Sequence, residues 1–256
     1  CAVILKTWDE VYYEHPGFAW FKVTVSGSLG YAGIPRGIPE FRSSIVPAAR
    51  VILELEQWLM DYPARHCSTQ VRPEGSISAL RAGWPDKPAF PSASTEIYLD
   101  VRISPDQSVA DVNREFDQLM RSVSSKYRDT PVSWEMFASC QGARTDPDHW
   151  IVRCATKAWE EVHGRPYPGA PPMSGQTDAA EICRAGIPVV RIGYPFPPER
   201  ARTTQFADGL GGMGVASAPE LVPSIRQLIH ILVDAGTRRR EELAARSAHE
   251  RMEGNL

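Results

Sequence analysis

Ser174, Gly175, Gln176, Thr177 and Asp178 bring two hydroxyls, a carboxylate and a run of small-residue backbone together in consecutive positions. They fall just before a stretch with helical composition, and Asp178 with Glu181 three residues on has the spacing of a capping box. Backbone N–H groups aimed off a helix N-terminus, with hydroxyls beside them, make a ready place for an anion such as a substrate carboxylate. The same residues could instead form only a well-capped turn between two core elements, and spacing alone leaves both open. Gly186 suits the left-handed C′ position beyond the helix, and Ile187–Ile192 reads as a short apolar strand.

Other catalytic patterns are missing from the sequence. It contains no G-x-S-x-G elbow, no P-loop, no G-x-G-x-x-G after a strand and no H-E-x-x-H. The six His (His15, His66, His149, His163, His230, His249) do not cluster with carboxylates at ligand spacing. His230 falls within the last helix as a core-edge residue, and His149 and His163 favour the ends of another. Glu160 and Glu161 are adjacent, so on a helix they point in different directions. Cys1 as an N-terminal nucleophile has no activating base nearby.

A net charge of −3 and a pI near 6.1 argue against a nucleic-acid surface. No apolar run approaches the ~18–20 residues that cross a bilayer. The five Cys (Cys1, Cys67, Cys140, Cys154, Cys183) are scattered without a C-x-x-C pair. That fits reduced cytosolic thiols and a cytoplasmic setting better than a disulfide or zinc framework. Cys1 runs straight into the apolar AVIL; the expectation is a cut edge, with an N-terminal portion lacking.

The elements that must hold the Ser174–Asp178 loop follow from periodicity. Ala2–Leu5 is a short strand. Phe18–Val25 alternates, and a Gly/Pro-rich loop follows it. Ile45–Met60 is an amphipathic helix capped by Ser44, with Ile45, Ala48, Ala49, Ile52, Leu55 and Leu59 inward. Ser76–Leu80 and Thr95–Ile103 are strands; in the second, Ile97, Leu99, Val101 and Ile103 face in. Ser108 caps a helix running to about Tyr127, and Pro131–Phe137 is the last strand. The order β-α-β-β-α-β is that of the ferredoxin-like unit, four antiparallel strands with both helices on one face. Beyond it, Asp146-Pro147 starts a helix that stops at Gly164. Tyr194–Gly214 is loop, Pro219–Ala235 is a helix with Leu221, Ile225, Leu228, Ile229 and Leu232 on one side, and a charged tail follows. The expected fold class is thus α/β (α+β): a βαββαβ domain over 16–140, and an incomplete α/β domain from 1–15 and 141–256 with too few strands for a complete parallel sheet.

Three segments, HPGFAWFKVTVSGSLGYAGIPRG, STEIYLDVRISPDQSVADVN and SGQTDAAEICRAGIPVVRIG, occur in the order of three signatures of one superfamily. The chain resembles the acetylornithine deacetylase / succinyl-diaminopimelate desuccinylase / aminoacylase / glutamate carboxypeptidase group of zinc peptidases (metallopeptidase clan MH). The likeness covers nearly the whole chain but only the later part of a family member. It implies that the βαββαβ domain is a lid and dimerisation domain, and that the rest is the last part of a catalytic domain.

The resemblance further implies cleavage of C–N amide bonds in N-acyl amino acids or dipeptide-like carboxylates by hydroxide held between two zinc ions. Most ligands and the Glu base belong to a half this sequence does not match. The family's acidic ligand before the lid falls at Lys6, its final His ligand at Ala216 with Glu220 beyond, its lid His at Tyr31 and its lid Asn at Ser43. The expectation is therefore no metal site and no cofactor in this chain, zinc being expected in complete family members. Tyr31 would hydrogen-bond the reacting carbonyl. Ser174, Gly175, Thr177, Asp178 and Arg102 would hold the substrate's carboxylate. Arg102 has a second possible role in a sheet-face salt bridge with Asp100 or Glu96. The implied partners are a small carboxylate-bearing ligand and a second copy through the lid; neither nucleic acid nor membrane is expected. A catalytically silent, dimerising or carboxylate-binding relative is the other class of function left open.

Overall fold

The computed structural model describes residues 1–7, 9–31, 33, 42–194 and 218–239. In chain order these form β1 (Ala2–Thr7), β2 (Glu14–His15), β3 (Gly17–Ser26), α1 (Ile45–His66), β4 (Gly75–Ala82), β5 (Ser94–Ile103), α2 (Val109–Lys126), β6 (Val132–Cys140), β7 (Ala143–Arg144), α3 (Trp150–His163), α4 (Ala179–Arg184), β8 (Val189–Tyr194) and α5 (Ala218–Thr237). The architecture is mixed α/β. It divides into two units: Pro16–Gly142 with Pro172–Gln176, and Cys1–His15 with Ala143–Pro171 and the chain from Thr177 onward.

In the first unit the strands form one antiparallel sheet in the order β4-β5-β3-β6. Strict alternation on β5 buries Ile97, Leu99, Val101 and Ile103, and β3 buries Ala19, Phe21, Val23 and Val25 beside them. Period-two burial on one face leaves the other face polar and aromatic. Both helices cover the buried face, where Phe21 stacks on Phe116 of α2 at 3.9 Å between ring centroids. The Ser108 hydroxyl accepts from Asp111 N while Asp111 accepts from Ser108 N, so α2 starts with a complete capping box.

Helix α1 departs from expectation in two ways. It runs six residues past Met60, and its buried stripe is Ala48, Val51, Leu55, Leu59 and Tyr62, while Ile45 and Ala49 are exposed. A 22-residue helix must keep one stripe on the sheet along its whole length, and the 48-51-55-59-62 spacing does so. Ser44 occupies the cap position but its side chain caps nothing. Its buried hydroxyl donates to Ser92 O at 3.1 Å and meets Thr95 Oγ1 at 2.8 Å. Strand β4 is longer than expected and irregular between Ile77 and Ala79.

In the second unit β1 and β8 run parallel, from Ala2 opposite Val189 to Thr7 opposite Tyr194, and β2 pairs antiparallel with β7. These are the sheets among its described residues, a fragment of the layer that parallel strands normally build. Val190 and Ile192 pack on Trp150, Ile151, Ala155, Ala158 and Trp159 of α3. Helix α3 begins at Trp150, later than the Asp-Pro signal suggests. Asp146 instead makes a turn, accepting from Asp148 N at 2.8 Å, and His149 Nδ1 accepts from Ile151 N as the cap. Gly164 ends the helix at φ +64°, where a side chain would be strained.

On helix α5 the five apolar residues read as one side are split, Leu221 and Leu228 being half-buried, and Ile231 instead joins the core. Ile225, Ile229 and Leu232 are exposed, while Ser224 and Gln227 are buried. Ser224 Oγ donates to Gly193 O at 2.6 Å and Gln227 Nε2 to Ala155 O at 3.1 Å. Two polar side chains thus satisfy backbone carbonyls of β8 and α3 beside the buried Ile231, while Ile225, Ile229 and Leu232 stay exposed. Ala216, the loop after Tyr194 up to Gly214, and the charged tail beyond 239 lie outside the described residues.

Candidate functional site

The loop read first in the sequence is divided. Met173 forms a parallel bridge with Val71, donating to Gln70 O at 3.0 Å and accepting from Arg72 N at 3.1 Å. Ser174 Oγ accepts from Glu74 N at 2.9 Å. Residues 172–176 therefore belong to the antiparallel-sheet unit, whereas Thr177 and Asp178 belong to the other. Ser174 and Gly175 are brought to the segment that leads into β4, and Glu74 O in turn accepts from Arg102 N at 3.0 Å. Two hydrogen bonds through Glu74 thus connect the Ser174 hydroxyl to the backbone of Arg102.

Arg102 lies on β5, on the sheet face the helices leave open. Its Nη2 bonds Asp100 Oδ2 at 2.7 Å, and Asp100 Oδ1 also accepts from Trp20 Nε1 at 3.1 Å. Glu96, the other expected partner, accepts from Tyr98 instead. A guanidinium has five N–H donors in a fixed fork, so a carboxylate at one edge orients it without exhausting it. Arg72, which periodicity did not single out, adds a second cation here; its Nε is 3.8 Å from Glu74 Oε1 and both side chains are largely exposed.

Asp178 does not play its expected part. It is helical in conformation (φ −61°, ψ −8°) and makes no side-chain cap, because a carboxylate on an already helical residue turns away from the N–H groups ahead of it. Thr177 Oγ1 takes that role, accepting from Ala179 N at 3.3 Å, and Glu181 pairs with Arg184 at 3.2 Å. Helix α4 is only six residues, ~9 Å long at 1.5 Å per residue, so it contributes little dipole of its own. The anion-binding helix terminus expected here is replaced by side-chain and strand-edge groups. Gly186 does take the left-handed conformation, at φ +82°.

Tyr31 is placed on the loop after β3. Its ring is partly exposed and lies 5.3 Å from the Phe90 ring, which in turn is 6.5 Å from Trp84. Ser43, at the position of the lid Asn, accepts from Ile45 N at 3.4 Å beside α1.

Among the described residues no three His, Cys, Asp or Glu side chains converge where a metal ion could be held. Lys6 stands in β1 opposite Gly193, a cation at the position the resemblance gives to an acidic ligand. The described residues do not fit a two-zinc centre.

Arg191 of the second unit, a buried cation, escaped sequence reading. Arg191 sits in the middle of β8, almost fully buried, its guanidinium 5.1 Å over the Tyr12 ring. Burial lowers its pKa to about 10 and raises that of Tyr12 to about 12. An Arg flanked by Val and Ile was the available signal. A shallow cleft of about 350 Å³ in the same unit is lined by Cys154, Glu161, His230, Asp234 and Arg238, among others. His230 pairs there with Glu161 at 2.9 Å and Arg238 with Asp234 at 2.7 Å. Burial, then Asp234, push the Cys154 thiol up to about 12, so it is no nucleophile at neutral pH.

No protein-family model matches this sequence. Solved structures do resemble it. A hydantoinase/carbamoylase family amidase from Burkholderia ambifaria superposes with a TM-score of 0.62 at 16% identity, over 91% of this chain and 50% of that one. AtUAH, crystallised in complex with glyoxylate, gives 0.62 at 16% over 88% and 48%. Human carnosine dipeptidase 1 gives 0.55 at 16% over 75% and 51%. This chain spans about half the length of the solved structures it matches. At these identities the likeness establishes the fold: the chain is built like half of a hydantoinase/carbamoylase-type amidase.

Proposed function

We propose that this chain is the substrate-gripping part of a metal-dependent amide hydrolase of the acetylornithine deacetylase and aminoacylase group, acting on N-acyl amino acids or dipeptide-like carboxylates. The carrying observation is the run Ser174 Oγ–Glu74–Arg102, which ties a hydroxyl loop through backbone hydrogen bonds to the strand that carries Arg102, whose guanidinium Asp100 orients. Arg102, Ser174 and Gly175 hold the carboxylate, and Thr177 and Asp178 continue the loop; Tyr31 follows β3 at the other end of β5, where Ser26 faces Ser94, and does not share a small ligand with Arg102. Arg72 adds positive charge next to the loop. An amidase, a dipeptidase and AtUAH, the last crystallised with the carboxylate glyoxylate, are neighbours that support this class of ligand. The zinc-bound hydroxide of complete family members has no holder among the described residues. On this reading the chain alone binds and carries out no hydrolytic step, in a reducing, cytoplasmic setting that suits its scattered cysteines.

Calorimetric titration with N-acetylglycine tests this. Binding is expected, with at least tenfold loss in Arg102→Ala, since charge-assisted hydrogen bonds contribute about 1.5–3 kcal/mol. Equal affinity for N-acetylglycinamide, which lacks the carboxylate, would overturn the assignment.

A second reading, a non-catalytic carboxylate-binding relative, is favoured by Lys6. In both readings residues 16–140 are the lid and pair two copies. Val46, Leu53 and Met60 support that pairing: they are exposed on α1 at seven-residue spacing, the repeat that lets helices of two copies pack. Sedimentation should find a dimer that Leu53→Glu converts to monomer. A wild-type monomer at tens of micromolar would remove the pairing.

A further inference from the structure

Register sets what lies beside Arg102 on the open face of the antiparallel sheet. Phe18 of β3 stands directly opposite it, and Trp20 stands opposite Asp100. On the other side runs the segment entering β4, where Glu74 O accepts from Arg102 N and Ser76 faces Asp100. Residues two apart on a strand share a face, so Phe18, Trp20, Asp100 and Arg102 project together. Directly opposite side chains are ~5 Å apart at Cβ, and diagonal ones remain within reach of rings and long chains.

Three rings make an apolar floor at this end of the sheet. Phe18 lies 4.8 Å from Trp20, and Trp20 lies 6.0 Å from Phe137 of β6, with tilts of 40° and 43°. Trp20 is 41% exposed and Phe137 50%, while Phe18 is half-buried. Tilted rings present both faces and edges to an added aromatic group. One carboxylate joins this floor to the cation. Asp100 accepts from the indole Nε1 through Oδ1 at 3.1 Å and from Arg102 Nη2 through Oδ2 at 2.7 Å. Indole and guanidinium are thus held by the same group, which lowers the ordering cost of receiving a ligand across both. Farther along the strands the face turns polar: Lys22 pairs with Glu135, and Tyr98 donates to Glu96. The rings are confined to the neighbourhood of Arg102.

Size and charge together decide the occupant. Three aromatic side chains of ~150–250 Å² each, less than half of it open, offer on the order of 200 Å². A stable protein interface buries ~800 Å² per partner, whereas a single ring fits this floor. The guanidinium at its margin calls for an anion, and planar carboxylates suit the guanidinium fork. In an aromatic amino acid only Cα and Cβ separate carboxylate from ring, a reach that matches the step from Arg102 to the neighbouring strand. We infer that Phe18 and Trp20, bounded by Phe137, form a specificity subsite for the aromatic side chain of a ligand whose carboxylate sits on Arg102. The subsite rests on the assignment of a carboxylate to Arg102 and adds the ligand's second recognition group.

Calorimetry on the full chain with N-acetylglycine, N-acetyl-L-phenylalanine and N-acetyl-L-phenylalaninamide tests it. N-acetyl-L-phenylalanine is expected to bind at least tenfold tighter than N-acetylglycine. Phe18→Ala and Trp20→Leu should each shrink that ratio threefold or more. Trp20→Phe, which keeps a ring but gives up the N–H to Asp100, should retain more of the ratio than Trp20→Leu. Trp20 is exposed, so its variants are expected to fold, and circular dichroism matching wild type checks this. A ratio near one with N-acetylglycine bound overturns the subsite and leaves the carboxylate site standing. A tenfold ratio that both Phe18→Ala and Trp20→Leu leave intact puts the ring elsewhere and also overturns the subsite. Equal affinity for the acid and its amide, both weakened in Trp20→Leu, overturns the carboxylate site and leaves the ring contact standing. Binding of no probe overturns both. Loss of a dimer in Trp20→Leu, seen by sedimentation, would make the rings a contact between copies and overturn the subsite.

Discussion

Acidification from pH 7 to pH 4.5 is expected to remove about 2–3 kcal/mol of stability through His15 alone, out of the ~5–15 kcal/mol of a typical domain. His15 is fully buried on β2, its Nε2 3.2 Å from Val189 O. That carbonyl can only accept, so Nε2 carries a proton, and burial disfavours a second one on the ring. Burial, then the Arg191 guanidinium, lower its pKa from 6.5 to about 3, against a weaker raising effect of the Val189 carbonyl. Because the folded value is depressed, the unfolded chain takes up a proton below pH 6.5 while the native ring does not until about 3. Stability therefore falls as pH falls through that window, at ~1.4 kcal/mol per unit. Glu10 works in the opposite sense, since burial raises its pKa, so acid favours the fold there, in the range above 4.5. Glu54, Asp111 and Asp234 have lowered pKa values through hydrogen bonds at exposed sites; their losses fall below about pH 4.5 and are small. Urea unfolding at pH 7, 6, 5 and 4.5 should show the slope in wild type and its loss in His15→Gln. Parallel profiles for the two proteins would assign the acid sensitivity elsewhere.

His15 and Arg191 also show where sequence reading stops. Strand β5 was legible because an antiparallel sheet with one buried face forces alternation, which survives in Ile97, Leu99, Val101 and Ile103. The start of α2 was legible because a capping box is local chemistry between Ser108 and Asp111. A strand buried on both faces imposes no alternation, so in VVRIG only the apolar neighbours of Arg191, and no period, mark it as interior. Local chemistry also misleads where several polar residues compete for one helix end. Asp178 and Asp146 have good cap sequences, yet backbone angles hand the task to Thr177 and His149. Helix α5 was legible as amphipathic, but which face packs depends on what Ser224 and Gln227 can reach, so Ile231 is buried while Ile225, Ile229 and Leu232 are exposed. In the candidate site, Ser174 and Arg102 were legible as residues. Their connection was not, because Glu74 lies 100 positions from Ser174.

The largest single-residue loss is expected at Arg144. Glu14 on β2 faces Arg144 on β7, and the side chain of Glu14 is only 1% exposed. The guanidinium reaches Glu14 Oε1 through Nε at 2.8 Å and Nη2 at 2.7 Å. Arg144→Met leaves the carboxylate buried without that partner, a change that costs about 3–5 kcal/mol because desolvation is no longer offset. At ~2–4 °C per kcal/mol for a chain of this size, melting should drop by roughly 10 °C. Glu14→Leu should cost less, since Arg144 is 37% exposed and its charge can turn to water. The double substitution separates interaction from burial. Two apolar side chains of similar length restore a packed pair, so Glu14→Leu/Arg144→Met should be more stable than Arg144→Met alone, by about 2 kcal/mol or more. Additive losses, with coupling under ~0.5 kcal/mol, would mean that the pair behaves as a solvated surface contact despite the burial of Glu14.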